Sequence, residues 1–498
     1  MGSKIEKYSI KDSLDGAIEL TNQLLQQHEK FYNSIRQESK IMQNQIKKDI
    51  HENMMRYIDM LSSLVAIPSI SFDNFDQKYV LDSANAVKAM FEKAGLTNIQ
   101  FLMPPSGRPS VYAESLTSPD KPTILLYAHH DVQPPMREAL WDTPPFTATQ
   151  KGDRLFGRGT ADDKAGIIVH LAALEQVRRE LKGNGPNLKF IIEGEEESGS
   201  AGFEKILTEH AELLKSDAVI IADLGNFAKG TPSITTTLRG MSAINVTLRA
   251  TKAPLHSGSW SGPIPDPAQA LCRMIASLTD KDGQILIPHY EDDIIPPTKE
   301  ELESYKSLGM TEEIFRNDGG ILEQVKLNVP EDEILISLWR RPSIIVSTIE
   351  SGSRVNAGNV LQDSAYARIG IRLAPGMDAV KCTDMLADFL KAQVPNNMEI
   401  TIDKEDGANP FVTDTNHPFF KKMSDAMADA YASPTKFIGC GASIPGAELF
   451  RNTLGNIPIL LTGLEDPECN AHGENESLYL PDFESGIVAE ALFFASIS

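Results

Sequence analysis

Three short apolar runs in this chain each end in a cluster of histidine and acid residues. Residues 123–128 lead into His129-His130-Asp131, residues 188–192 into Glu193-Gly194-Glu195-Glu196-Glu197, and residues 218–222 into Asp223. Runs of this length bounded by turn residues read as buried strands, and Ile167, Leu171, Leu174, Val177 and Leu181 between the first two mark one face of an amphipathic helix. Strand, helix, strand alternation implies a largely parallel sheet with helices on both faces. Ligands of such sheets bind beyond the carboxyl ends of the strands, so three strands bring imidazoles and carboxylates to one edge.

The rest of the chain divides around that pattern. Residues 1–47 are polar, with Leu14, Ile18, Leu24, Leu25, Phe31, Tyr32 and Ile35 at roughly helical spacing, and predict an N-terminal helical extension packed on the body or on a partner subunit. A helix through Met54, Ile58 and Leu61 then ends before Pro68, within a first catalytic segment at 48–237. After Leu238 the texture changes to alternating segments at 243–250 and 365–373, separated by an acidic, Pro-containing stretch at 291–332. The α/β texture returns with a helix at 418–432 and a strand at 457–461. The expected fold is therefore α/β, a mostly parallel-sheet catalytic domain (48–237 and 406–498) carrying an inserted α+β domain at 238–405.

Composition removes several functions. With 47 Lys and Arg against 69 Asp and Glu, the net charge is −22, which leaves no basic surplus for a nucleic acid or an anionic membrane surface. No run of eighteen apolar residues offers a membrane span, and Met1 to Lys11 has no secretory h-region. Four scattered cysteines form no Cys-x-x-Cys pair, so a cytoplasmic setting is expected and any metal would be held by His and carboxylates.

Two further segments can reach the sheet edge. The loop Gly157-Arg158-Gly159-Thr160-Ala161-Asp162-Asp163-Lys164 opens the Ile167 helix, and His472 lies in Asn470-Ala471-His472-Gly473-Glu474-Asn475-Glu476 after the last strand. Two His with three carboxylates suit borderline divalent ions such as zinc, and an extra acid beside a ligand is available as a base. Imidazole and carboxylate donors of this kind could hold two ions bridged by one Asp and a water. Repeated acid clusters after apolar strands also call for a cation, because desolvating several carboxylates without one is costly. His170, on the same helical face as Ile167 and Leu174, reads instead as a satisfied core histidine.

From Ile50 to Ser498 the sequence resembles the superfamily of zinc aminoacylases, carnosinase and glutamate carboxypeptidase, which also contains succinyl-diaminopimelate desuccinylase and acetylornithine deacetylase. The resemblance is carried, in order, by Tyr127-Ala128-His129-His130-Asp131-Val132-Gln133-Pro134, residues 141–146 ahead of 157–164, residues 193–200, His256-Ser257-Gly258 and His472. It implies that His129, Asp162, Glu197, Asp223 and His472 are the ligands of two divalent ions, zinc by preference with manganese or cobalt as alternatives. Asp162 would bridge the ions, and a cis peptide would link it to Asp163. Asp131 would orient His129 from behind. Glu196 would be the general base, and Glu195, one place early, structural. Of the two adjacent imidazoles, the His-x-Asp spacing selects His129.

The resemblance also implies substrate contacts. His256 would steady the developing oxyanion, reaching across a homodimer formed by the inserted domain. Arg372 would clamp the substrate's terminal carboxylate, which a planar guanidinium fits in bidentate fashion, and Asn359 and Ser443 would add contacts. Asn359-Val360-Leu361-Gln362 departs from the family's usual Val-Ile-Pro type segment. The large insert resembles the lid of the carnosinase branch, so the expected activity is a metallodipeptidase cleaving next to a free carboxylate. The alternative is an N-acyl amino acid deacylase on the same metals. A catalytically silent peptide-binding protein would be marked by a lost ligand or base, and none is lost here.

Overall fold

The computed structural model describes residues 10–355, 357–442 and 445–498. Strands buried on both faces need apolar residues at successive positions, and Thr123–His129 is buried from Ile124 onward. Its side chains alternate between two cores. Ile124, Leu126 and Ala128 pack with the helices Lys164–Glu180 and Leu480–Ser496 on one face, while Leu125 and Tyr127 pack with Phe203, Leu207 and Phe450 on the other. Each such fully buried large apolar side chain contributes roughly 1.5–3 kcal/mol. The predicted face of Ile167, Leu171, Leu174 and Val177 is buried against this sheet.

Across the central sheet the strands run Thr97–Leu102, Ser110–Ser115, Asn187–Glu193, Thr123–His129, Ala218–Ile221, Ile459–Leu461, Ser233–Leu238 and Phe411–Val412, with Lys436–Cys440 also paired to Ser233–Leu238. The middle strands, from Asn187–Glu193 to Ile459–Leu461, are mutually parallel. Their carboxyl ends therefore share one edge. The flanks are antiparallel, apart from the parallel pairing of Lys436–Cys440. The last central strand starts at Ile459 rather than 457, because Pro458 has no N–H for a ladder and offers only its carbonyl, to Val219 N.

A second sheet has the order Ser343–Glu350, Ser364–Leu373, Gly240–Arg249, Glu399–Lys404 and is antiparallel throughout. Alternation explains its single covered face. Ile244, Val246 and Leu248 with Ala365, Ala367, Ile369 and Ile371 turn one way, under the helices Pro267–Ala276 and Ala379–Ala392. The acidic stretch folds into two short helices, Lys299–Ser307 and Glu312–Asp318, the first closed by a capping box between Thr298 and Glu301.

One helix, Ile10–Val65, runs unbroken through position 48. No Gly or Pro lies between Gly16 and Pro68 to interrupt it. Its C-terminal half buries Ile46, Ile50, Tyr57, Leu61 and Leu64 in the main core. The side-chain packing predicted for Leu14, Ile18, Leu24, Leu25, Phe31, Tyr32 and Ile35 lies outside the described residues.

Candidate metal centre

The His129 imidazole emerges at the end of its strand with its backbone N–H donated to Asp163 Oδ2 (3.3 Å). Its Nδ1 lies 3.0 Å from the carbonyl oxygen of Asp131 and 3.4 Å from that residue's carboxylate. Nε2 lies 2.9 Å from Asp162 Oδ1 and 3.4 Å from Asp223 Oδ1, and with Nδ1–H held at Asp131 it is the nitrogen that would turn its lone pair to a cation once its proton is lost. On the other side of Asp162, His472 Nε2 lies 3.0 Å from Asp162 Oδ2 and 3.1 Å from Glu197 Oε2. Asp162 thus sits between two imidazoles, one on each carboxylate oxygen. Its peptide bond to Asp163 is cis.

Donor atoms of His129, Asp162 and Glu197 lie within 4.8 Å of one another, as do those of His129, Glu196 and Asp223. Proximity alone does not separate Glu196 from Glu197. Their hydrogen bonds do: Glu197 accepts from Gln133 N (3.0 Å) and Gln133 Nε2 (2.8 Å), whereas no hydrogen bond reaches the Glu196 carboxylate among the described residues. Both backbone N–H groups of this acidic turn donate to Asp131, at 3.2 and 3.0 Å. Asp131 therefore fixes the turn with its carboxylate while its carbonyl is the nearer partner of His129.

Electrostatics at this edge call for added positive charge. Burial, then the neighbouring Asp223, pushes Asp163 and Glu196 well above the usual carboxylate range; burial and Asp162 push Glu197 up to about 7. Burial also works against Asp162, but hydrogen bonds with His129 and His472 overcome it and hold its carboxyl low. Contacts with Asp162 and Glu197 raise His472 to about 11. Two imidazole nitrogens facing carboxylate oxygens fit divalent cations, which would displace the shared protons, neutralise the acids and take the same nitrogen donors.

His130 is not part of this set. It is buried, with Nε2 2.9 Å from Pro109 O, and burial pushes its pKa down to about 4. A Cβ on Gly194 would meet Pro109 O at 2.6 Å and this ring at 2.8 Å, so glycine is required where the acidic turn crosses it. Glu195 accepts from Gly202 N (2.6 Å) and Ser106 Oγ, a structural role. His170 pairs with Glu490 (2.8 Å) in the core.

The remaining expected site residues are placed differently. Arg372 is partly buried in the second sheet opposite Met241 and Ser343, within electrostatic reach of Arg239 and Cys440. His256 is exposed, paired with Val360 in a two-residue ladder, and Asn359 is exposed with its carbonyl accepting from Ser257 N (2.9 Å). No hydrogen bond or ion pair joins His256 or Asn359 to the donor cluster among the described residues. Ser443 lies outside the described residues.

Several supporting residues carried no assigned role in the sequence reading. Glu476 is buried and accepts from Gly159 N, Ala161 N and Asp162 N at 3.0–3.2 Å and from Arg158 (2.5 Å), which holds the loop bearing Asp162. Lys164 Nζ donates to Leu64 O and Ile67 O, both at 2.8 Å, tying that loop to the end of the first helix. Glu465 comes four residues after Ile459–Leu461, where Asp223 comes two after Ala218–Ile221, a looser form of the strand-then-acid signal. A cavity of about 970 Å³, lined among others by Arg154, Phe227, Lys229 and Asn470, includes none of the donors. The donor cluster is an open edge, with the His472 side chain 58% exposed.

The profile described as Peptidase family M20/M25/M40 matches residues 125–495. Cysteinylglycine-S-conjugate dipeptidase of Corynebacterium striatum is 33% identical over 377 residues, covering 75% of this chain and 81% of that protein. Cys-Gly metallodipeptidase of Candida albicans is 31% identical over 461 residues, covering 88% and 93%. Among solved structures, a dipeptidase of Saccharomyces cerevisiae superimposes with a TM-score of 0.79 at 25% identity, covering 91% of this chain and 98% of that one.

Proposed function

The chain belongs to peptidase family M20/M25/M40, a metal-dependent hydrolase, and on that premise we propose that it cleaves free dipeptides at the amide bond next to a terminal carboxylate. One observation carries the reading: Asp162 offers its two carboxylate oxygens to two different imidazoles, at 2.9 and 3.0 Å. His129, Asp162 and Asp223 would hold one ion, and Asp162, Glu197 and His472 the other. Zinc suits this nitrogen and oxygen donor set, and manganese or cobalt are its competitors. When bound, such ions supply Lewis acidity, lowering the pKa of a water and polarising the scissile carbonyl.

The protein's own groups do the rest. Glu196, whose carboxylate is not tied down, takes the proton of the attacking water and returns it to the leaving amine nitrogen. Asp131 and Gln133 keep His129 and Glu197 oriented, so that Glu197 stays a ligand while its neighbour works as base. Arg372 holds the terminal carboxylate, with Asn359 and Ser443 as further contacts.

His256 acts from a second copy of the chain. The edge strand Ser343–Glu350 exposes Ile345, Val346 and Ile349, an apolar edge suited to pairing with its own copy. Such a homodimer would carry the partner subunit's His256 to the oxyanion. The four cysteines are unpaired, which suits a reducing compartment such as the cytoplasm. No described helix is long and apolar enough to cross a membrane.

The test is hydrolysis by the metal-loaded protein of free dipeptides beside N-acetyl and N-succinyl amino acids sharing the same carboxyl-terminal residue. Cleavage of the free dipeptides alone is expected. Preference for the acylated compounds would replace the dipeptidase reading with deacylation.

A further inference from the structure

A dipeptidase has to read a free amino group, and none of the groups assigned so far does so. Glu465 is placed to do it. Beyond the parallel pairing of Leu461 with Ile221, the two chains stay together: Thr462 N donates to Ile221 O (2.9 Å), Glu465 N to Leu224 O (3.3 Å) and Asn226 N to Glu465 O (2.7 Å). Gly463 makes the approach possible, since a Cβ there would lie 1.6 Å from Leu224 O. The Glu465 backbone is thereby clamped beside Gly225, two residues past Asp223.

Its carboxylate is partly exposed and, among the described residues, receives no hydrogen bond and meets no ion-pair partner. The charges it feels are those of Asp162, Asp223, Glu476 and His472, and it acts on the same Cys440 thiol as Arg239 and Arg372. Its backbone partner Gly225 places Glu465 beside the strand end that carries Asp223. It belongs to neither group of converging donors. A carboxylate clamped there needs a cation, and a bound dipeptide brings one two bonds from the scissile carbonyl carbon.

Resting on the dipeptidase reading, we propose that Glu465 binds the free α-amino group of the substrate and so selects dipeptides over N-acyl amino acids. The ammonium donates to the Glu465 carboxylate, the amide lies over the donor cluster, and the far carboxylate reaches Arg372. An acylated nitrogen has no charge to offer and leaves Glu465 buried by the ligand without a partner.

The test is Glu465→Gln in the full-length, metal-loaded protein. Loss of one charge-assisted hydrogen bond should lower kcat/KM for a free dipeptide about 10–100-fold, mostly through KM. Inhibition by the desamino analogue of the same dipeptide should not change, nor should metal content by elemental analysis or the melting temperature. Glu465→Asp, which keeps the charge on a shorter arm, should recover part of the loss. Equal weakening toward dipeptide and desamino analogue would overturn the assignment, as would loss of metal from Glu465→Gln. If the unaltered protein cleaves only acylated substrates, the dipeptidase reading fails instead, which the same panel distinguishes.

Discussion

The parallel sheet and the antiparallel unit handle their functional residues in opposite ways. At the edge of the parallel sheet, His129, Asp162 and Glu197 are buried, and buried acids and backbone groups fix what lies around them. On the antiparallel unit, His256 and Asn359 are exposed and Arg372 is only partly covered. Parallel strands all end on one side, so topology alone converges their last residues. An antiparallel sheet sends alternate strand ends in opposite directions and converges nothing by itself. Its residues become a site only against another surface, which in the proposed homodimer is the partner subunit with the substrate.

The largest effect would break the parallel-sheet half of this comparison. Glu196→Gln should lower kcat by about 10⁴-fold while elemental analysis still finds the metal of the unaltered protein. Near-normal turnover would remove Glu196 as base, and lost metal would make it a ligand.

A smaller effect tests the antiparallel half. His256→Ala should cost about 10²-fold in kcat, the usual loss for one oxyanion donor. Mixing and re-equilibrating it with Glu196→Gln should restore roughly a quarter of normal activity, because half the dimers then hold one intact site of two. Two inactive variants that stay inactive when mixed would place His256 on its own chain's site or outside the chemistry.

The smallest effect concerns an acid of the α/β body that lies outside the donor cluster. Asp482 is buried, accepts from Gly230 N (3.1 Å) and Asn226 Nδ2 (3.4 Å), and is pushed up to about 6, mainly by burial. A carboxyl raised on folding stabilises fully below its unfolded pKa near 4, and that contribution is lost as pH rises through about 6. Asp482→Asn should therefore match the unaltered protein at pH 4 and gain on it towards pH 7, by up to about 3 kcal/mol. Denaturant melts across that range would show a constant difference if burial were not the cause.

Legibility in the sequence follows the same division. His129, Glu197 and Asp223 stood directly after apolar strands, so their place at one edge was readable from local pattern and the rule for parallel sheets. Glu465 comes four residues after its strand, in Glu-Asp-Pro-Glu, which also reads as an ordinary solvated turn, so local pattern does not single it out. Gln133 and Glu476 were within quoted motifs but had no role until their partners, 64 and more than 300 residues away, were in place.

The sequence by itself determined the α/β class, the identity of the chemical groups and the adjacency of acid to strand, because hydrophobic periodicity and turn residues act over a few neighbouring positions. Tertiary structure alone decided that Asp162 lies between the imidazoles of His129 and His472, that His130 turns to Pro109 while His129 turns to the acids, and that Glu465 meets Gly225. Those choices depend on which distant backbones share a hydrogen-bonded ladder, and on the cost of leaving any buried donor or charge unanswered.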